Sequence, residues 1–380
     1  MIRLTRSNYP ALLIALAIVP SVGRTAERLD PAKAKADPDE KLLWYDIRQL
    51  GVEGQGWNDI ESPFDRLPKK AKSVVRDPVW NLSRDSAGMA VRFVTDATAI
   101  HTRWTLRSER LAMPHMAATG VSGLDLYAKT DAGRWHWLAC QAPKKFPTTQ
   151  LALASGLPAG EREYLLYLPL YNGVTSVEIG IDMQHVLAKA DARPETHRRP
   201  ILFYGTSITH GACASRPGMC HPAILGRRFD RPIINLGFSG NGRMEPEVTK
   251  LLAELDPCVY VLDCLPNMQA AEVAERTEPF VNILRAARPD TPILLVEDRN
   301  YADSFLIRGK RDRNLTSRAA YRKAYERLTA AGVKHLSYLE GEQLLGDDGD
   351  GTVDSSHPND LGFVRQADAM EKVLRTVLKD

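Results

Sequence analysis

Four short stretches carry residue types that could do nucleophilic chemistry, and they follow one another through the second half of the chain. The first is Gly205-Thr206-Ser207-Ile208-Thr209-His210-Gly211. A serine among small residues, where a strand runs into a helix, can expose its hydroxyl while its own N–H lies at the helix start, where negative charge is welcome. Ser207 is therefore a candidate nucleophile; the alternative is a serine that caps the helix. The second stretch, Asn235-Leu236-Gly237-Phe238-Ser239-Gly240-Asn241-Gly242, can bring its backbone close to a substrate and turn at positive φ, as a backbone donor to an oxyanion requires. Turn punctuation is the alternative, and neither a phosphate-binding loop nor a dinucleotide fingerprint fits its spacing. The third, Asp263-Cys264-Leu265-Pro266-Asn267-Met268, offers the amide of Asn267, otherwise a turn residue or cap. In the fourth, Asp354-Ser355-Ser356-His357-Pro358, a carboxylate three residues before an imidazole can accept its Nδ1 hydrogen and leave Nε2 to take a hydroxyl proton.

The elements that would position these residues can be read from periodicity. From about Trp44 to Ile181 the pattern has period two: Ile100, Thr102, Trp104 and Leu106 alternate with polar neighbours, Met89, Val91 and Phe93 do likewise, and Val177, Ile179 and Ile181 close the series. Turn residues at Asp131-Ala132-Gly133 and Asn172-Gly173 separate the strands. With no long 3.6-residue period, an antiparallel sandwich over residues 40–185 is predicted. Residues 186–200, with Pro194 and Pro200, read as a linker. Beyond it, over 201–380, Ile201–Tyr204, Pro232–Leu236, Cys258–Leu262 and Ile293–Val296 are short apolar runs of the kind strands covered on both faces show. Helical segments lie between and after them: Val248 to Leu255, Ala270 to Ala287, Ser317 to Ala331, and a last one after Pro358. This alternation predicts an α/β fold, a parallel sheet in three layers with chemistry at the carboxyl ends of its strands.

Composition narrows the function classes. The chain has 380 residues, enough for two domains, and Lys+Arg of 50 against Asp+Glu of 47 leaves a net charge of +3. No basic field favours nucleic acid as a partner. Arg3 and Arg6 before the apolar run Ala11–Val19, then Pro20, Ser21 and Gly23, read as a signal peptide over residues 1–26, which predicts a secreted or periplasmic protein with no stable membrane insertion. Five cysteines are too few for a disulfide scaffold; Cys213 and Cys220 are the plausible local bridge, and two buried thiols the alternative.

Other candidates carry less. His210 reads as a solvent-facing loop residue or a substrate contact, and His335, within a strand pattern over Val333–Tyr338, as structural. Glu297, Asp298 and Arg299, which follow the fourth strand run, either line a pocket at the same rim or form a local ion pair, the second being favoured. The acidic run Asp347–Gly351 fits no register of a calcium loop, and no Cys-x-x-Cys or His-Glu-x-x-His is present, so no metal or cofactor is expected. Trp135, His136 and Trp137, with Trp104 and Tyr127, could stack on sugars if exposed, but read first as core.

Together the four blocks resemble the SGNH (GDSL-type) hydrolases, serine esterases and lipases on a flavodoxin-like sheet, over roughly residues 200–380. The resemblance implies Ser207 as nucleophile and first oxyanion donor, the N–H of Gly240 and the amide of Asn267 as further donors, and Asp354 with His357 completing a triad. Gly123-Leu124-Asp125-Leu126-Tyr127 resembles the Gly-x-Asp-Leu-Tyr motif of the jelly-roll-like β-sandwich that precedes this hydrolase in some exported members, among them carbohydrate esterases. The family usually has Asp where Thr206 stands, and Gly-x-Asn-Asp where Leu265-Pro266-Asn267-Met268 stands. The function implied is hydrolysis of short acyl esters, acetyl first, on a small-molecule or polysaccharide substrate. The alternatives are a lipase, phospholipase or thioesterase with the same residues, a non-catalytic glycan-binding protein, and, more distantly, a metal-dependent phosphodiesterase.

Overall fold

The computed structural model describes residues 27–379; the expected leader, residues 1–26, lies outside the described residues. In the first half, β1 (Lys35–Asp37), β2 (Leu42–Asp46), β3 (Val52–Glu53), β4 (Ala90–Thr95), β5 (Ala99–Leu106), β6 (Leu124–Lys129), β7 (Trp135–Gln141), β8 (Thr148–Ser155), β9 (Arg162–Tyr167), β10 (Val174–Asp182) and β11 (Leu187–Lys189) build two antiparallel sheets. Their orders are β1-β2-β10-β5-β8 and β11-β4-β9-β6-β7, with β3 pairing β4. Period two sets the faces: in β5, Ile100, Thr102, Trp104 and Leu106 are buried and the residues between them half-exposed.

The sheets share a core that includes Tyr45, Phe93, Trp104, Leu126, Tyr164 and Ile179. The second sheet is covered on its other face too, where Tyr127, Leu165 and Tyr167 pack with Phe203, Ile208 and Ala223 of the second half. That double burial is why β9 ends in Tyr164-Leu165-Leu166-Tyr167 without polar alternation: alternate side chains enter two different cores. Likewise in β6, Leu124 and Leu126 face the sandwich core and Tyr127 the second half.

In the second half, β12 (Ile201–Gly205), β13 (Ile233–Gly237), β14 (Val259–Asp263), β15 (Ile293–Val296) and β16 (Leu336–Leu339) form a parallel sheet ordered β13-β12-β14-β15-β16. This is the flavodoxin-like order, which reverses beside the first strand of the set, so the carboxyl ends of β12, β13 and β14 open on one rim. Of the helices, α4 (His221–Arg228) and α8 (Asp360–Leu378) pack on one face through Leu225, Phe363 and Met370. On the other, α5 (Pro246–Glu254), α6 (Ala270–Ala287) and α7 (Arg308–Ala330) contribute Leu252, Phe280 and Leu328. Among the described residues no helix is long and apolar enough to cross a membrane.

The structure departs from the sequence expectations in three places. The stretch expected to be a linker, 186–200, begins with β11, paired to β4, and its Arg193 bridges Glu53 and Asp230. Within the span expected to be sandwich, residues 54–89 form no strand. Instead Leu67, Ala71, Val79 and Trp80, the last two in α1 (Asp77–Leu82), pack against Ile234, Leu236 and Leu252, covering the edge strand β13 that would otherwise offer unpaired backbone. His335 lies just outside β16, at φ 53°, where the chain turns into the strand.

Candidate active site

β12 ends at Gly205, and α3 (Ser207–His210) starts two residues later. Thr206 Oγ1 accepts the Ile208 N–H at 3.3 Å, so Thr206 is the helix cap, and the reading of Ser207 as that cap is overturned. Thr206 thus holds the turn where the family usually places Asp. The Ser207 hydroxyl instead lies 2.8 Å from His357 Nε2. His357 Nδ1 lies 2.7 Å from Asp354 Oδ2, while the backbone N–H groups of His357 and Ser356 donate to Asp354 Oδ1 at 2.8 and 3.1 Å. Burial pushes the Asp354 carboxyl up, but these bonds and the neighbouring imidazole outweigh it and hold the group below its ordinary value, ionised. The turn is closed by Val353 N–H donating to His357 O at 2.9 Å, and α8 begins directly after it with Asn359 as cap.

The rim around Ser207 comes from the neighbouring strand ends. Phe238 N–H donates to Gly205 O at 2.9 Å, laying the glycine-rich turn on the serine turn. Gly242 packs so closely that a Cβ would collide with Gly205 O, and Gly240, exposed, sits at φ 72°. Asn267 closes a single 3-10 turn, Leu265–Asn267, after β14; its Oδ1 accepts the Gly242 N–H at 3.2 Å, which leaves its Nδ2 hydrogens for another acceptor. The backbone of that turn, which lacks the family's Gly and Asp, is held by Arg313 Nη2 donating to Pro266 O at 2.8 Å. The structure therefore brings Ser207, His357 and Asp354 into one hydrogen-bonded chain and places Gly240 and Asn267 on turns packed at the same rim.

Behind the serine lies a buried polar cluster that the sequence did not announce. Tyr171 Oη donates to Ser207 O at 3.2 Å, and its ring stacks on His210, centroids 4.0 Å apart. His210 is fully buried, with Nε2 2.6 Å from Leu170 O, which corrects the solvent-facing expectation. Burial, reinforced by the Arg66 cation, holds it well below the usual histidine range and so neutral. Arg66 donates to four backbone carbonyls: Asp85 (2.9 Å), Leu82 (2.6 Å), Asn235 (3.1 Å) and Gly237 (2.7 Å). Burial brings its guanidinium down to about 10. Burial also pushes the neighbouring Asp85 carboxyl up to about 7, against the pull of Arg66 and Arg107.

A carboxyl raised on folding contributes stability that is complete below its unfolded value, near 4, and lost as pH rises through 7. Asp85→Asn should therefore remove a decline in stability between about pH 5 and about pH 8 that the wild type shows. Urea midpoints of both proteins at the two pH values test this; a wild-type-to-variant difference that is the same at both contradicts it.

The remaining candidates serve the fold. Arg299 Nη2 donates to both oxygens of buried Asp263 at 2.9 Å; Asp298 receives Arg313 at 2.8 Å, and Glu297 accepts from Tyr338 Oη at 2.6 Å. All three of residues 297–299 are buried, in the ion-pair role favoured from sequence. Asp348 of the acidic run is paired to Arg365 at 2.6 Å. Cys213 and Cys220 are buried free thiols. Trp104 and Tyr127 are core, whereas Trp137 is 51% exposed, its Nε1 donating to Asp125 Oδ1 at 3.1 Å.

The Gly-x-Asp-Leu-Tyr motif acquires a partner that its own sequence could not name. Asp125 is fully buried, and its Oδ2 accepts the Gly218 N–H at 2.8 Å and Arg216 Nη1 at 3.1 Å; Tyr127 Oη also bonds Arg216 and lies under Arg227. The motif thus clasps the loop between α3 and α4. Two exposed features also flank the site: the His115 ring stands 6.3 Å from that of His357, and Phe305, Leu306 and Ile307 protrude from a loop tied to Ser355 by the Ala302 N–H.

Comparison with known proteins agrees with this architecture. A family model described as GDSL-like lipase/acylhydrolase matches residues 198–375, and one described as the N-terminus of SGNH-hydrolase-type esterases, GxDLY, matches residues 42–187. Among solved structures, a Bacteroides ovatus protein described as a GDSL-like lipase is 35% identical, with a TM-score of 0.84 over 89% of this chain and 98% of that one. A salicylyl-acyltransferase from a tetracycline biosynthetic pathway is 18% identical, with a TM-score of 0.69 over 89% and 98%. A family two carbohydrate esterase from Clostridium thermocellum is 16% identical, with a TM-score of 0.55 over 77% and 93%. The last two likenesses are of fold. No curated protein matches the chain.

Proposed function

The chain belongs to the GDSL-like lipase/acylhydrolase family, the SGNH esterases, and from that premise we propose that it removes short acyl groups, acetyl first, from the hydroxyls of a carbohydrate. The observation that carries the reading is the unbroken chain from Ser207 Oγ through His357 to Asp354, at 2.8 and 2.7 Å. His357 Nε2 takes the hydroxyl proton as Ser207 Oγ bonds the ester carbonyl carbon, and Asp354, kept ionised, steadies the imidazolium. The carbonyl oxygen, now an oxyanion, is held by the N–H groups of Ser207 and Gly240 and the amide of Asn267. His357 then protonates the departing alcohol, leaving an acyl-serine. Water, deprotonated by the same nitrogen, attacks the acyl carbon; as the bond to Ser207 Oγ breaks and the acid leaves, His357 returns that proton to Ser207 Oγ. Every proton and electron pair in this cycle is accounted for by these residues, the ester and water.

A carbohydrate acceptor is supported by the sandwich-plus-hydrolase layout, shared in fold with the family two carbohydrate esterase. A secreted or periplasmic location, resting on the pattern of residues 1–26, is part of the same proposal. One observation favours a second reading: Phe305 and Leu306, 77% and 72% exposed beside the His357 turn, are the kind of surface that meets long acyl chains. Initial rates on 4-nitrophenyl acetate, butyrate and palmitate, with acetate release from acetylated xylan, separate the two. The expected result is acetate release and a fall of at least about tenfold from the two-carbon to the longest chain. Rates that climb with chain length would favour the lipase reading instead.

A further inference from the structure

The loop Ser108–Ala117, which leaves β5 of the sandwich, carries an exposed imidazole to the site. Both ends of the loop are pinned. Fully buried Asn172 holds its start, accepting the Ser108 N–H at 3.1 Å and donating to Ser108 O at 2.9 Å. Near its end, Met113 and Met116 exchange two backbone hydrogen bonds, at 3.0 and 3.1 Å, closing a tight turn with Pro114 and His115 at the tip. Met116, 3% exposed, is buried in the same core as Ile208, the residue after Ser207. His115 is thus held on a fixed support, its ring centroid 6.3 Å from that of His357 and inclined to it by 32°. No protein group bonds its ring nitrogens among the described residues.

Position and chemistry together restrict what such a group can do. In the proposed cycle the departing alcohol must reach His357 to collect its proton, so a group beside that imidazole stands on the alcohol side of the ester rather than the acyl side. Neutral imidazole offers one donor and one acceptor, the complement of a hydroxyl, and has nothing to offer a hydrocarbon chain. Because the support is rigid, little ordering is needed on binding. Resting on the esterase reading of this site, we infer that His115 is a specificity-determining residue supplied by the sandwich half: it hydrogen-bonds a free hydroxyl adjacent to the ester on the alcohol portion of the substrate.

The test compares a monoacetylated sugar, which has free hydroxyls beside its ester, with 4-nitrophenyl acetate, which has none. The quantity read is the ratio of kcat/KM on the sugar ester to kcat/KM on the aryl ester, in wild type, His115→Ala and His115→Gln. Because both rates come from the same active molecules, misfolded protein cancels out of the ratio. The ratio should fall roughly tenfold in the alanine variant, the worth of about one hydrogen bond, mainly through KM on the sugar ester, and be higher again in the glutamine variant. An unchanged ratio in His115→Ala, or a glutamine variant no better than alanine, overturns the inference while the esterase reading stands. A wild type inactive on both esters overturns the reading itself.

Discussion

Replacing His357 with alanine should lower kcat on every accepted ester by about 10⁴–10⁶-fold, the loss expected when a serine nucleophile loses its base. The size follows from the geometry. Ser207 Oγ has its 2.8 Å contact with Nε2, and a free hydroxyl is far too weak an acid to ionise unaided near neutral pH. What survives is the contribution of the oxyanion donors and substrate binding, neither of which involves the imidazole side chain. Because the His357 side chain is 26% exposed and sits in a turn, truncating it should cost little stability. The kinetics should therefore be measured alongside urea unfolding, and a variant as stable as wild type with kcat within about tenfold of it contradicts the assignment.

The largest structural effect is expected far from the reacting atoms in sequence, at Arg66. This side chain is 1% exposed and its fork spans four carbonyls, two on its own segment and two, Asn235 and Gly237, on the strand that leads into the Gly240 turn. Arg66→Met keeps most of the volume but removes every donor, so several buried acceptors lose their partner at once and Asp85 loses its neighbouring cation. A loss of about 3–5 kcal/mol is expected. Arg66→Lys should recover little, because one ammonium cannot reproduce the planar fork. Urea unfolding of both variants measures this; a loss below about 1 kcal/mol for Arg66→Met would show that the carbonyls find other partners.

Much of the architecture was legible because it depends on local pattern. The period-two burial of Ile100, Thr102, Trp104 and Leu106 and the short apolar runs of the parallel sheet are direct consequences of strand geometry, and both could be read before any coordinates. The motif blocks were legible for the same reason: Asp354 and His357 are three residues apart, so one turn suffices to join them. What stayed hidden depends on partners distant in sequence. Arg66 bonds carbonyls 169 and 171 residues away, so nothing in its own sequence neighbourhood singles it out. The segment 54–89 contains too little periodic sequence to reveal that it covers β13 rather than joining the sandwich. His210 looked exposed because nothing within α3 predicts Tyr171 stacking on it. Whether Ser207 serves as nucleophile or caps the helix stayed open because its own sequence fits both roles; the geometry gives the cap to Thr206.

The central claim is that Ser207 is the residue that becomes covalently acylated. Treating the protein with a fluorophosphonate, weighing it intact and sequencing the labelled peptide tests this without choosing a substrate. One adduct per chain is predicted, on the peptide containing Ser207 and absent from Ser207→Ala. An esterase that stays unlabelled, or carries its adduct on a different side chain, contradicts the account.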